Sequence, residues 1–260
     1  MTQLCLLPSI LAFLLATFCY VAANWFPHLR AWGRLFLGVG AALQTAYLAF
    51  WTREVGAPFV VSLGDALNLI AWAVAVIYVV LGRSERWQAL GSLVCPLIAF
   101  LVVAALHRGT PYWVAQQVWP HLWVVPVHLA AAMVSVAIFA MALTVSLLLF
   151  WQDHRLKQHS TTVTRWALPA LESMEHVLSV LLAAGWALLT IVVVTGTILL
   201  AWQGKSMWNR HWLWAILAWL VYAAVLHTRF LKGWRGRRGV LLSMVGFLAI
   251  LLTFLEAHGL

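Results

Sequence analysis

Long apolar stretches separated by short polar loops dominate the chain and give the first prediction of its structure. A membrane-spanning helix needs about 20 mainly apolar residues, and about eight stretches approach that length. They lie near Cys5–Ala23, Leu35–Trp51, Phe59–Leu81, Leu90–Leu106, Trp123–Phe150, Val177–Trp202, Trp212–Phe230 and Val240–Leu255. None alternates apolar and polar residues as membrane strands do. The pattern predicts an all-α polytopic transmembrane helix bundle of about eight spans, forming one membrane domain over residues 1–260.

Composition strengthens this prediction and excludes several classes of function. The chain is 64% hydrophobic and 9% charged, with a mean hydropathy of +0.94, whereas soluble domains are about 45–50% apolar. The net charge of +9 would suit nucleic acid, but the basic residues are scattered over short loops, so we expect no such partner. Cys5, Cys19 and Cys95 lie in apolar stretches without a Cys-x-x-Cys pair, which gives no support to a disulfide, zinc or thiol-redox framework.

The distribution of Lys and Arg predicts the orientation in the membrane. Twelve of the sixteen basic residues fall in the first, third, fifth and seventh loops, and four fall in the even-numbered loops. Because cytoplasmic loops carry the excess of Lys and Arg, the odd loops are predicted to be cytoplasmic and both termini periplasmic. We therefore expect a multi-pass protein of the bacterial inner (plasma) membrane.

This orientation brings histidines and tryptophans to the predicted periplasmic face. The sixth loop contains Trp208-Asn-Arg210-His211-Trp212-Leu-Trp214, while His128 lies at the start of the fifth span and His258 just after the eighth. Two histidines from separate helices are a simple way to hold haem iron, and arginines pair with carboxylates such as the haem propionates. An alternative stays open, because tryptophans and histidines at a membrane interface are also common without any cofactor.

Other polar residues receive separate interpretations. His227 lies 16 positions after His211, about 24 Å along a helix, so the two cannot bind one iron, and His227 is predicted near the cytoplasmic end. Asp65 and Asn68 are costly to bury in the membrane, so they are expected to face the bundle interior and to make a structural hydrogen bond to another helix. Glu172 and Glu175 are expected to cap the sixth span.

The second half of the chain resembles the cytochrome c assembly family of haem-handling membrane proteins, specifically its CcsA-like group with the YpjD and HemX proteins. The Trp208–Trp214 stretch occupies the frame of that group's Trp-rich outer loop, and Leu226-His227-Thr-Arg229 matches the closing Leu-His-x-Arg of the next helix. Val127-His128-Leu-Ala and Leu255-Glu-Ala-His258-Gly resemble the family's two outer haem-ligand histidines. The strongest resemblance covers residues 121–260.

The resemblance implies a haem-binding protein that presents or exports haem at the periplasmic face and assists c-type cytochrome biogenesis. It implies haem b as cofactor, and as partners the lipid bilayer, haem, apocytochrome c and other maturation proteins. The cofactor-binding set would comprise His128 and His258 as iron ligands, with His227, Trp208, Trp212, Trp214, Arg210 and His211 around them. Haem delivery of this kind is not catalysis in the usual sense, and no catalytic residue is assigned.

Two alternatives remain at this point. In the outer loop, Asn209, Arg210, His211 and Trp212 replace the family's Asp, Pro and Lys-Glu pair, which favours an accessory protein that stabilises a haem-biosynthesis or cytochrome-assembly partner without holding haem. A small-molecule transporter would need broken helices or several charges at mid-membrane, and Asp65 alone approaches that.

Overall fold

The computed structural model consists of helices and connecting turns wherever it describes the chain, which is at residues 2–55, 62–106, 123–157, 169–202, 204, 210–231 and 237–257. The helices are α1 Thr2–Ala22, α2 Leu29–Val55, α3 Leu63–Leu81, α4 Gly91–Ala104, α5 Val124–Lys157, α6 Leu171–Trp202, α7 Arg210–Leu231 and α8 Arg237–Ala257, with a 3-10 helix at Glu85–Leu90. Within these ranges, six helices are long and apolar enough to cross a membrane. The predicted polytopic helix bundle is confirmed, while the number of spans and the side of the termini stay predictions.

Several helices extend beyond the apolar stretches that predict them. Helix α2 begins at Leu29 rather than Leu35, and α6 begins at Leu171 rather than Val177. A hydropathy count follows the thickness of the bilayer, whereas helical hydrogen bonding continues through the polar interface beyond it. Glu172, in the first turn of α6, illustrates this because a negative charge is favourable at a helix N-terminus.

By contacts between residues, the chain divides into two compact units. Unit 1 comprises Met1–His121 with Thr162–Pro169, and unit 2 comprises Leu122–Thr161 with Ala170–Leu260. In unit 1, α1 packs on α2, α2 on α3, α3 on α4, and α4 back on α1. In unit 2, the helices α5 to α8 make the same closed ring in the same order. Each unit is thus a four-helix bundle. The prediction of a single membrane domain remains untested.

Buried polar side chains in unit 1 are joined by hydrogen bonds across three helices. Ser9 Oγ donates to Gln44 Oε1 at 2.9 Å, and Gln44 Nε2 donates to Asn68 Oδ1 at 2.9 Å. Asp65 accepts hydrogen bonds from the backbone and hydroxyl of Ser62 in a capping box that begins α3. Both Asn68 and Asp65 are buried, as expected. The expected hydrogen bond to another helix is confirmed for Asn68, whereas the bonds of Asp65 to Ser62 lie at the start of its own helix.

The core of unit 2 is built from aromatic rings packed into small residues. The rings of Phe139 and Tyr222 stack at 3.9 Å between centroids. Phe139 lies against Gly185 and Tyr222 against Gly246, so closely that a Cβ atom at either glycine would come within 2.8 Å of the ring. Helices in membranes pack closely where small residues let them approach. These contacts fix the lateral positions of all four helices.

Candidate functional site

The best-defined candidate site lies at one end of unit 2, where α5 and α7 begin and α6 ends. We call it the His128 end. His128 occupies the second turn of α5 and is half-buried. Its Nδ1 lies 2.9 Å from Thr195 Oγ1 on α6. This bond joins two helices of the unit and holds the imidazole in one orientation.

The hydrogen bonds of Thr195 determine which nitrogen of His128 carries the proton. The Thr195 hydroxyl donates to the carbonyls of Ile191 at 2.6 Å and Val192 at 3.2 Å. With its single proton committed to its own helix, Oγ1 accepts from the imidazole, which places the proton on Nδ1. In the neutral ring the lone pair is then on Nε2, the arrangement that a protein uses to prepare a histidine as a metal ligand.

Because Gly196 has no side chain, the imidazole of His128 can lie close to α6 at this position. A Cβ atom at this position would lie 3.1 Å from Cε1 of His128, closer than side chains usually pack. The glycine next to Thr195 therefore allows the ring to lie against the backbone of α6 while it keeps its hydrogen bond.

Trp212 is connected to the same turn of α6. Its indole Nε1 donates to Thr197 Oγ1 at 3.0 Å, and the Thr197 hydroxyl donates to the carbonyl of Val193 at 2.8 Å. We call Thr195-Gly196-Thr197 the threonine segment. It contacts His128 on one side and Trp212 on the other, so these two predicted site residues are brought to one end of one bundle.

Of the other predicted site residues, some lie at the start of α7 and some lie outside the described residues. Arg210, the first residue of α7, is exposed, and Trp214 is half-buried two residues after Trp212. His211 lies in the first turn of α7. Trp208 and His258 lie outside the described residues. Their predicted roles stay predictions.

A second tryptophan–threonine contact lies further along the same pair of helices. Trp219 Nε1 donates to Thr190 Oγ1 at 2.9 Å, and Trp186 stacks on Trp219 with 5.5 Å between ring centroids. The pairs 212 with 197 and 219 with 190 follow a single antiparallel register. This register was not predicted, although threonines seven residues apart on one helix and tryptophans seven residues apart on the next would have indicated how α6 faces α7.

The opposite end of unit 2 holds His227 and a buried ion pair. Arg229 pairs with the Glu175 carboxylate, and also donates to the Glu175 carbonyl at 3.0 Å and to Ser179 Oγ at 2.8 Å. His227, two residues earlier, is exposed, and so is His176 beside Glu175. The structure therefore separates His227 from His128 along the bundle. The expectation that Glu175 serves as a helix cap is corrected, because its carboxylate binds a cation from another helix.

The donor set at the His128 end fits haem better than a free metal ion. Within the described residues, no group of three or more His, Cys, Asp or Glu side chains could hold a metal ion. Haem iron is already held by its porphyrin and needs only one or two protein ligands, of which histidine is a common one. A histidine prepared at Nε2 beside a tryptophan ring suits that requirement.

Comparison with known proteins places this chain beside one group. The family described as "Cytochrome C assembly protein" matches residues 60–258, which include α3 and α4 as well as the four helices of unit 2. The cytochrome c biogenesis protein CcsA of Porphyra purpurea is 24% identical over 238 residues, covering 76% of this chain and 74% of the relative. The CcsA protein of Synechococcus sp. (strain CC9605) is 26% identical over 252 residues, covering 86% and 83%.

Proposed function

Because this chain belongs to the cytochrome c assembly protein family, we propose that it is a multi-pass membrane protein that binds haem at the His128 end and assists c-type cytochrome biogenesis. The observation that carries the proposal is the hydrogen bond from His128 Nδ1 to Thr195. In a neutral imidazole this bond leaves the lone pair on Nε2, the form that ligates iron. Relatives named as cytochrome c biogenesis proteins support the biological setting.

In this proposal His128 and His258 are the two protein ligands of the iron. The cofactor is haem b, and when bound it supplies the iron and the porphyrin that a c-type cytochrome finally carries. Trp208, Trp212 and Trp214 provide flat apolar surfaces for the porphyrin. Their contribution is to exclude water from the ligating imidazoles.

Trp212 has the best-supported role among the aromatic residues. Its hydrogen bond to Thr197 fixes the indole relative to the turn that also holds His128. Arg210, exposed at the start of α7, pairs with a propionate, because a guanidinium recognises a carboxylate through two parallel hydrogen bonds. His211 belongs to the same surface.

Haem reaches or leaves this site at the periplasmic face of the inner membrane, where it is presented to apocytochrome c or to another maturation protein. The predicted orientation supports this, since it puts the His128 end outside. His227, at the other end of the bundle, marks transfer from within the membrane. The protein acts by holding and delivering haem and is not proposed to be an enzyme.

The test is an absorption spectrum of the full chain purified in detergent from haem-replete cells. We expect a Soret band that persists through washing and is lost in the double variant His128→Ala, His258→Ala. The matched control is His176→Ala, an exposed histidine at the opposite end of unit 2, which should keep the band. Wild-type protein without haem, or a double variant with undiminished haem, would contradict the proposal.

A second function is favoured by the outer-loop sequence, in which Asn209, Arg210, His211 and Trp212 replace the family's polar residues. In that case the protein stabilises a haem-biosynthesis or cytochrome-assembly partner and holds no haem. Haem-free protein that co-purifies with such a partner, and whose deletion lowers that partner's abundance, would establish this role instead.

A further inference from the structure

Unit 1 contains a cavity of about 250 Å³ that the haem site does not use. It lies where α1 and α3 end and α2 begins, and it is lined by Tyr20, Arg34, Leu37, Tyr78, Val79, Gly82 and Arg83. The ends of apolar helices lie at the boundary between membrane and water. The cavity therefore opens at the depth of the lipid headgroups.

Two arginines give the mouth of this cavity a strong positive charge. Arg34 and Arg83 are both exposed, and no carboxylate among the described residues pairs with either. A guanidinium binds a phosphate or carboxylate through parallel hydrogen bonds. A cation just after the C-terminal end of a helix interacts favourably with the helix dipole. The position of Arg83 after α3 therefore does not by itself indicate a bound ligand.

The buried wall of the cavity supplies the second observation. The hydroxyl of Tyr20 is buried and makes no hydrogen bond of ordinary geometry among the described residues, although it lies close enough to the Tyr78 hydroxyl to interact with it. The Tyr20 ring is held between the backbones of Gly33 and Gly91, where added Cβ atoms would lie within 2.9 Å of it, so it cannot turn to find another partner. The Tyr78 hydroxyl donates its own proton to the carbonyls of Trp87 and Gln88. The Tyr20 hydroxyl therefore keeps a proton that it can donate to a polar group entering the cavity.

The size and the walls of the cavity limit the kinds of ligand that it can bind. Pockets that enclose a drug-sized molecule measure about 300–1,000 Å³, so this smaller cavity accommodates a headgroup. Leu37 is buried and Val79 is half-buried, which gives an apolar wall beside the two charges. We propose that this cavity binds the phosphate headgroup of an anionic phospholipid, with Arg34 and Arg83 on the phosphate and Tyr20 as a hydrogen-bond donor. The proposal is independent of haem binding.

The experiment compares lipids and two double variants of the full chain. Delipidated protein in detergent is titrated with phosphatidylglycerol or phosphatidylcholine of the same acyl chains, and bound lipid is counted by native mass spectrometry. We expect one tightly bound phosphatidylglycerol and weaker binding of phosphatidylcholine. The variant Arg34→Gln, Arg83→Gln should weaken phosphatidylglycerol binding by about a hundredfold, since each hydrogen bond between a guanidinium and a phosphate is worth about tenfold or more.

The matched control is Arg30→Gln, Arg86→Gln, which removes the same charge from the same two loops without altering the lining of the cavity. It should bind as wild type does. Equal losses in the two double variants, or equal binding of the two lipids, would overturn the proposal. A third arm uses inorganic phosphate, and displacement of the lipid by millimolar phosphate would assign the site to the free anion instead.

A conservative variant covers the case in which the double variant does not fold. Tyr20→Phe keeps the ring between Gly33 and Gly91 and removes only the hydroxyl. We expect a severalfold loss of phosphatidylglycerol affinity with unchanged phosphatidylcholine binding. Unchanged affinity for phosphatidylglycerol would refute the role given to the hydroxyl and, with it, the headgroup site.

Discussion

Arg229 and Glu175, which are 54 positions apart in the sequence, form an ion pair that connects the end of α7 to the start of α6. Their side chains are only 5% and 13% exposed. At this burial the pair does not by itself imply high stability, because desolvation offsets much of the attraction. A charge left without its partner is much less favourable than either the pair or two neutral residues.

The first prediction concerns the removal of one partner. Arg229→Met leaves the Glu175 carboxylate buried without its cation, which should destabilise the protein by about 3–5 kcal/mol. The double variant Arg229→Met, Glu175→Gln should recover part of this loss. Thermal unfolding in detergent provides the measurement, with the exposed Arg53→Met as control. A double variant that unfolds no later than the single one would contradict the prediction.

The second prediction concerns the hydrogen bond that orients His128. Thr195→Val keeps the shape of the side chain and removes the acceptor of Nδ1. Partners that orient a metal-ligating histidine contribute about 10- to 100-fold in affinity, so haem should dissociate correspondingly faster. Thr144→Val, on the same helix as His128, removes a hydroxyl that bonds the carbonyl of Ala140 and should have no such effect. Haem transfer to an excess of apomyoglobin measures the rate.

The third prediction distinguishes the roles of Gly196 and Gly185 in unit 2. Gly196→Ala requires His128 to move by a few tenths of an ångström, so the Soret spectrum should change with little loss of stability. Gly185→Ala places a methyl group 2.8 Å from Phe139 in the core and should cost about 1–3 kcal/mol through overpacking. If both variants change the same property, the assignment of Gly196 to the haem site is wrong.

The fourth prediction distinguishes the two tryptophans that bond to α6. Trp212→Phe and Trp219→Phe each remove one hydrogen bond between helices, worth about 0.6 kcal/mol on average in a membrane protein. Their effects on thermal unfolding should therefore be small and similar. Haem absorbance should change in Trp212→Phe alone, and an equal change in Trp219→Phe would remove the special role of Trp212.

The fifth prediction tests the orientation. In a variant whose three cysteines are replaced by alanine, single cysteines are introduced at His28 in the first loop or at Arg53 near the second, both exposed positions. A maleimide that cannot cross membranes should label Arg53→Cys on the outer surface and reach His28→Cys only after the membrane is opened. The reverse pattern would invert the topology.

The existence of the helices could be predicted from the sequence, but the residues by which neighbouring helices contact one another could not. Apolar stretches long enough to span a bilayer are recognisable by composition alone. In α5, however, apolar residues surround the whole helix, and lipid satisfies an apolar side chain as well as the core does. The sequence therefore did not reveal that Phe139 faces Gly185. Asp65 and Asn68 were placed correctly because a polar group in the membrane has to face the interior.

In the candidate site, too, some residues could be predicted from the sequence and the contacts between them could not. His128 was predicted from its residue type and position, and Trp212 from its place in the Trp-rich loop. The threonine segment that connects them was not given this role, because it depends on the register of three helices. The spacing of threonines and tryptophans indicates only how α6 faces α7, and no local pattern indicates that α5 places His128 against Thr195. Likewise, Glu175 was expected to cap α6, since a carboxylate near a helix start usually has a local partner. Its partner Arg229 comes from a distant helix.

In each bundle the fourth helix packs back on the first, and this closed ring of contacts has a consequence for biosynthesis. In unit 1 the ring closes through α1 and α4, so its four helices can pack as soon as α4 has left the ribosome and entered the membrane. At about 5–20 residues per second, the rest of the chain then takes on the order of ten to thirty seconds to be made. The buried Ser9–Gln44–Asn68 hydrogen bonds can thus form before unit 2, which carries the proposed haem site, exists.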